Sequence, residues 1–257
     1  MIPMRAAHFL PALPLGLLVL GLLPYAALRR AGRLPPEPRA AALRPSPLLP
    51  QLCLEYAYAL YQAPLQLCLR LSISADALTA SSVVLALLGA LAVAQGALGL
   101  GGWLLLVGYT CDALDGVVAR ARGTASDRGE YLDALGDVLG DGLIFVGFLA
   151  YYRDDRLGFG LAAAAMVSGT LVTYARAKGQ ALGVDAPGGV ARRFERVSYL
   201  GGGTVLAPLL SAWLEPAALH PRYPLLLLVF ALLAVTSLWT VAARSRVILG
   251  GLAARRG

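Results

Sequence analysis

Four aspartates, Asp112, Asp115, Asp133 and Asp137, fall within the stretch CDALDGVVARARGTASDRGEYLDALGDVLGD, residues 111 to 141, at the ends of two apolar runs. Asp112 and Asp115 are spaced i, i+3 and Asp133 and Asp137 i, i+4, so each pair shares one face of its own helix. Carboxylates at the ends of apolar helices are costly unless they face a bundle interior or a polar cavity, where they are functional by default. Four of them converging in a low dielectric repel one another, and the simplest relief is one or two divalent cations held by oxygen. Mg²⁺ or Mn²⁺ suits such a site, and Mg²⁺ is commonly shared between a few carboxylates and the phosphates of a substrate. The chemistry that follows is metal-assisted phosphoryl transfer, with a carboxylate receiving the proton of an attacking hydroxyl.

The neighbouring residues fit that chemistry. Gly116, Ala119 and Gly129 lie on or beside the acidic faces, where a minimal side chain lets a ligand approach the backbone. Arg120, two turns after Asp112, can reach a diphosphate with its fork of donors. Gly136 and Gly140 read as helix-packing residues, and Asp141 as a polar contact inside the helix bundle. A cation or proton pathway would also account for four acids in a membrane, but it has no need of Gly116, Ala119, Arg120 and Gly129 at fixed offsets.

The elements that must position these acids are membrane helices. Of 257 residues 58% are hydrophobic and 14% charged, with the charges clustered between runs of Leu, Ala, Val and Gly. Runs of about 20 apolar residues, the length that crosses a bilayer, occur near 9–28, 77–98, 102–121, 130–150, 157–177, 197–214 and 223–243. The expected fold is therefore all-α, a polytopic bundle of six core helices with an extra N-terminal hydrophobic helix. The net charge of +7 sits beside the spans, where it orients helices and meets anionic headgroups, so it does not point to nucleic acid. Cys53, Cys68 and Cys111 show no CxxC pairing, and His8 and His220 are the only histidines, so no zinc site assembles.

Positive charge orders the loops. Arg29, Arg30, Arg33, Arg39 and Arg44 precede the core; Arg120, Arg122 and Arg128, then Lys178, Arg192, Arg193 and Arg196, then Arg244, Arg246, Arg255 and Arg256 mark every second loop after it. The intervening loops are poor in net positive charge, which puts the acids at the cytoplasmic end of an integral membrane protein of a prokaryotic inner membrane. A first segment with its N-terminus outside agrees with the arginines after it, whereas a cleaved signal peptide would invert every later loop. The chain divides into an anchor and Pro/Arg-rich linker (1–50), an amphipathic segment interrupted by Pro64 that lies at the interface or packs on the bundle (51–75), a core (76–246) and a basic cytoplasmic tail (247–257).

The acidic stretch resembles the signature of the CDP-alcohol phosphatidyltransferase family, DxxDGxxAR, eight residues, then GxxxDxxxD, and it matches every fixed position: Asp112, Asp115, Gly116, Ala119, Arg120, Gly129, Asp133 and Asp137. Asp76 to Thr79 is similar to the segment that opens the family's first core helix. The resemblance implies that Asp112, Asp115 and Asp133 bind metal and that Asp137 binds metal and acts as base. It also implies that Gly116, Ala119, Arg120, Gly129 and Ser126 form the site of a CDP-activated lipid donor. A small polar alcohol would attack the β-phosphorus and release CMP, and the family suggests a homodimer. Farther along, TYARAKGQALGVDAPGGVARRFERVSYLG places Arg176, Lys178, Arg192, Arg193 and Arg196 at the same end as the acids. They are expected to receive a phosphorylated acceptor; the stretch is similar to inositol phosphate-using members, though glycerol phosphate would need the same charge.

Overall fold

The computed structural model describes residues 10–35, 50–186, 189–190 and 192–255. Most of the Pro/Arg-rich linker, with Arg39 and Arg44, lies outside the described residues, as do Arg5, His8 and Arg256. Eight helices follow in order: α1 Ala12–Arg30, α2 Gln51–Arg70, α3 Ala75–Ala94, α4 Leu98–Ala121, α5 Asp127–Tyr151, α6 Arg156–Ala181, α7 Arg193–Leu214 and α8 Pro224–Ala253. All except α2 are long and apolar enough to span a membrane, and no strand occurs among the described residues.

Six of them close a ring. α3 packs between α4 and α5, α4 against α7, α7 against α8, α8 against α6 and α6 back against α5. The chain reverses at turns with clear local causes. Gly123, at φ 66°, ends α4 with the Thr124 N–H on the Ala119 carbonyl, a left-handed stop that glycine makes at no steric cost. Three residues on, Ser126 caps α5 by accepting the Gly129 N–H at 3.2 Å. The short α4–α5 connection therefore holds the two acid-bearing helix ends side by side.

Membrane helices gain little from hydrophobic burial against lipid and associate through close packing of small residues. Gly147 presses on the backbone of Ala90, and a Cβ there would lie 2.5 Å from the Ala90 carbonyl oxygen. The Gly147→Val variant is expected to lose about 1–3 kcal/mol through forced separation of α3 and α5, read as a lower melting temperature in detergent. The main core lies toward the end of the bundle away from the acids, around Phe145, Phe148, Tyr152 and Phe230, with Phe148 and Phe230 edge-to-face at 5.0 Å.

Two expectations change. Pro64 does not interrupt α2, which runs through it as one helix. The boundary expected at 246 also falls inside a helix: α8 continues to Ala253, and Arg255 donates to the carbonyls of Leu182 at 2.7 Å and Gly183 at 2.6 Å. Arg255 thus docks the end of α8 on the α6–α7 connection by donating to carbonyls left free there.

Candidate active site

The last turns of α4 and the first turns of α5 face each other, as their i, i+3 and i, i+4 spacings require. Asp112, Asp133 and Asp137 each offer an oxygen within 4.8 Å of the others. Asp112 is buried, whereas Asp133 and Asp137 are half-buried. Asp115 is buried but stands apart from this trio: its Oδ2 accepts the Thr79 hydroxyl at 2.5 Å and its Oδ1 accepts the Gly116 N–H at 2.5 Å.

Arg193, at the start of α7, reaches into the trio. Its Nη1 donates to Asp112 and lies 2.5 Å from Asp137 Oδ1. The Asp137 contact is a charge contact without hydrogen-bond alignment, so Oδ1 remains a buried acceptor with no hydrogen bond. Such an oxygen is costly to bury unless another ligand completes it. Around Arg193 the site is braced. Tyr109 lies under its guanidinium at 5.4 Å, and the Tyr109 hydroxyl donates to Asp141 Oδ1 at 2.7 Å. Asp141 in turn sits 3.9 Å from both Arg193 Nη2 and Arg196 Nη2.

The donor set fits a divalent cation. Three carboxylates gather against the one guanidinium of Arg193, all ligands are oxygen, and a buried carboxylate oxygen lacks a hydrogen bond. Mg²⁺ or Mn²⁺ would be held by Asp112, Asp133 and Asp137, with Asp115 beside them.

Two cavities flank the end of α4. One of about 590 Å³ is lined by Asp115, Gly116, Ala119, Arg120, Ser126, Gly129 and Asp133, which brings all of the expected donor-site residues together. Gly116 makes room for Arg120, since a Cβ there would lie 3.2 Å from its Nη1. At Gly129 a Cβ would touch only Ser126 Oγ, at 3.4 Å, so the backbone is open to the cavity. The second cavity, about 320 Å³, runs between α2 and the α4–α7 pair: Tyr61, Leu65, Leu114 and Val117 line it together with Asp112, Arg120 and Arg193.

The basic residues divide. Arg193 and Arg196 join the acids, and the Arg192 backbone N–H is capped by the buried Glu195 at 2.9 Å. Arg176 and Lys178 are exposed on α6 and, among the described residues, make no ion pair with the acids. Gly136 and Gly140 pack toward α3 against Thr79 and Ala86, as expected of packing residues.

Sequence reasoning assigned no role to Tyr109 or to the Thr79 hydroxyl. Tyr109 carried a signal, one turn before Asp112 on the same face. Thr79 sits on a different helix, and only packing reveals its partner. Thr79→Val, which keeps the shape and removes the hydroxyl, is expected to lower turnover about tenfold by freeing Asp115; steady-state kinetics alongside an unchanged melting profile would check it.

A family model for CDP-alcohol phosphatidyltransferase matches residues 72–187, which include all four aspartates and stop short of Arg193 and Arg196. Archaetidylinositol phosphate synthase of Methanothermobacter thermautotrophicus is 33% identical over 150 residues, spanning 58% of this chain and 75% of that protein. Phosphatidylinositol phosphate synthase of Cutibacterium acnes is 36% identical over 133 residues, 50% of this chain and 64% of that protein. The crystal structure of Mycobacterium tuberculosis phosphatidylinositol phosphate synthase in complex with manganese and citrate aligns with a TM-score of 0.62 at 26% identity, covering 74% of this chain and 88% of that one. The same enzyme with CDP-DAG bound aligns with a TM-score of 0.61, also at 26% identity, over 73% and 92%.

Proposed function

This chain belongs to the CDP-alcohol phosphatidyltransferase family of phospholipid biosynthesis, and from that premise we propose that it joins a CDP-activated lipid to inositol phosphate at the cytoplasmic end of its bundle. The observation that carries this reading is the meeting of Asp112, Asp133 and Asp137 between a polar cavity bearing Arg120 and the arginines of α7. The 590 Å³ cavity would take the cytidine diphosphate, with Arg120 on the phosphates. Arg120 also lines the 320 Å³ slot, so a diphosphate beside it can lead into a lipid glycerol backbone between Tyr61, Leu65, Leu114 and Val117. Those walls are apolar and the slot also carries charged residues, as a lipid headgroup junction requires.

In the transfer, the acceptor hydroxyl oxygen bonds to the β-phosphorus while the bond from that phosphorus to the bridging oxygen breaks, and CMP departs with the negative charge. Asp137 takes the hydroxyl proton, and its Oδ1, which accepts no hydrogen bond, is the atom suited to it. A bound Mg²⁺ or Mn²⁺ would neutralise charge on the diphosphate. Arg120 orients the donor phosphates, and Thr79 and the Gly116 N–H hold Asp115 in one rotamer.

Arg196 and Arg193, with Arg192, Arg176 and Lys178 farther out, supply positive charge for an acceptor that carries a phosphate. The inositol choice is supported by the similarity to an archaetidylinositol phosphate synthase and a phosphatidylinositol phosphate synthase. The cytoplasmic placement is supported by the basic residues at the acid-bearing end, in contrast to the Asp155–Arg222 pair that neutralises the other end. A homodimer belongs to the same reading, and the mass of the protein in small detergent micelles tests it. The reading as a whole is tested by an acceptor panel with CDP-diacylglycerol and a CDP-ether lipid: inositol phosphate should be preferred. Preference for glycerol phosphate would reassign the acceptor, and preference for free inositol or serine would remove the role given to the arginines.

A further inference from the structure

α1 precedes the residues matched by the family model, and its apolar span has almost no packing to hold it. Leu13, Leu17, Val19, Leu20 and Leu23 are exposed, and Ala12 alone among its residues is buried. Against lipid such a helix would be free to drift, since acyl chains are as apolar as leucine. Its polar contacts are nevertheless directional and run along its whole length. At one end Trp103 Nε1 donates to the Pro11 carbonyl at 2.6 Å. In the middle the Tyr56 hydroxyl of α2 donates to the Leu18 carbonyl at 2.7 Å, and the Tyr25 and Tyr56 rings meet at 5.2 Å. At the other end Arg29 Nε donates to Glu55 of α2 at 2.7 Å, while Arg29 Nη1 donates to the Leu34 carbonyl at 3.1 Å.

Glu55 is the unusual member. It is a charged side chain on an interfacial helix, yet its residue is 7% exposed. A buried carboxylate of this kind does little for net stability, but loss of its partner is strongly unfavourable, which makes such a pair a device for fixing register. The register matters because Glu55, Tyr58, Gln62 and Leu65 recur at i, i+3, i+7 and i+10 and share one face of α2. The last three line the 320 Å³ slot. A rotation of α2 that opened the Glu55 contact would therefore turn the slot's wall.

We propose that α1 is a strap whose Arg29–Glu55 pair sets the rotation of α2 and so shapes the slot for the lipid part of the donor. Arg29 and Glu55 are positioning residues: they touch neither the acids nor the slot, and they act through Tyr58, Gln62 and Leu65. The proposal rests on the reading of that slot as the donor's lipid site.

The full chain in nanodiscs, as wild type, Arg29→Gln, Glu55→Gln and the exchanged pair Arg29→Glu/Glu55→Arg, tests it by two measurements. Hydrogen exchange over Gln51–Arg70 should rise in each single variant and return toward wild type in the exchanged pair. The KM for the CDP-lipid should rise roughly three- to tenfold in the single variants, with kcat and the acceptor KM within about twofold. If a single variant does not fold, Tyr56→Phe removes only the hydroxyl on the Leu18 carbonyl and should move both readouts less, in the same direction. Unchanged exchange in α2, or single-variant defects that the exchanged pair does not relieve, would overturn the strap. Raised exchange with an unmoved donor KM would overturn the positioning role through the slot. Absence of CMP release from the wild type would instead count against the proposed activity, and the exchange data would still decide the strap.

Discussion

Asp137→Asn is expected to lower CMP release by about 10³-fold, the largest loss of any single substitution, because it removes the proposed proton acceptor. Asn fills the same space and leaves the packing of α5 intact, so the bundle should melt as the wild type does. Asp133 has the wrong place for the task if Asp137 Oδ1 is the atom turned toward the reacting hydroxyl. Asp112 accepts a hydrogen bond from Arg193, whereas the Arg193 contact to Asp137 is an ion pair without one. Single-turnover release of CMP, with the CDP-lipid in excess over its dissociation constant, separates this chemical defect from weaker donor binding. The donor contacts of Arg120 and of the residues around Ser126 are untouched by the substitution.

The second large effect belongs to Asp112, which serves two partners. Asp112→Asn removes one of three carboxylates within 4.8 Å of one another and also the buried anion that Arg193 addresses. Turnover should fall about 10²- to 10³-fold, and Mn²⁺ should bind at least about tenfold more weakly to the substrate-free protein. Arg193→Gln provides the opposite sign on the metal. Removal of a fixed positive charge from among the acids should tighten Mn²⁺ binding several-fold by simple electrostatics. Turnover should still fall, because Arg193 is one of the groups proposed to receive the acceptor phosphate. Titration of Mn²⁺ paramagnetic resonance in the absence of substrate reads the two affinities without reference to activity.

Much of this site was legible in the sequence because its information is local. Two helical spacings put each pair of acids on one face, and a connection from Arg122 to Ser126 is too short to let the faces part. The same logic gave seven apolar spans, which the helices from Ala12 match within a few residues except at the end of α8, which runs on to Ala253. What could not be read was the identity of partners from distant parts of the chain. Thr79 reaches Asp115 only because α3 packs beside α4 and α5, and Arg193 reaches Asp112 and Asp137 only because α7 lies against α4. Arginine near a cytoplasmic helix end is expected for topology alone, so its charge did not reveal which of the five basic residues enters the site. The helical end of the chain was hidden for a related reason: the basic residues after Arg244 read as a tail until the carbonyls of Leu182 and Gly183 supplied acceptors for Arg255.

The acids and the cavities beside them together imply that a phosphodiester lipid forms here at the expense of a CDP-lipid. The direct measurement is to quantify CMP and lipid product together, from the purified full chain in nanodiscs with Mn²⁺, CDP-diacylglycerol and inositol phosphate. CMP and phosphatidylinositol phosphate should form in equal amounts, with both lost on chelation of the metal and in Asp137→Asn. CMP release without a matching lipid product, or undiminished transfer by Asp137→Asn, would contradict it.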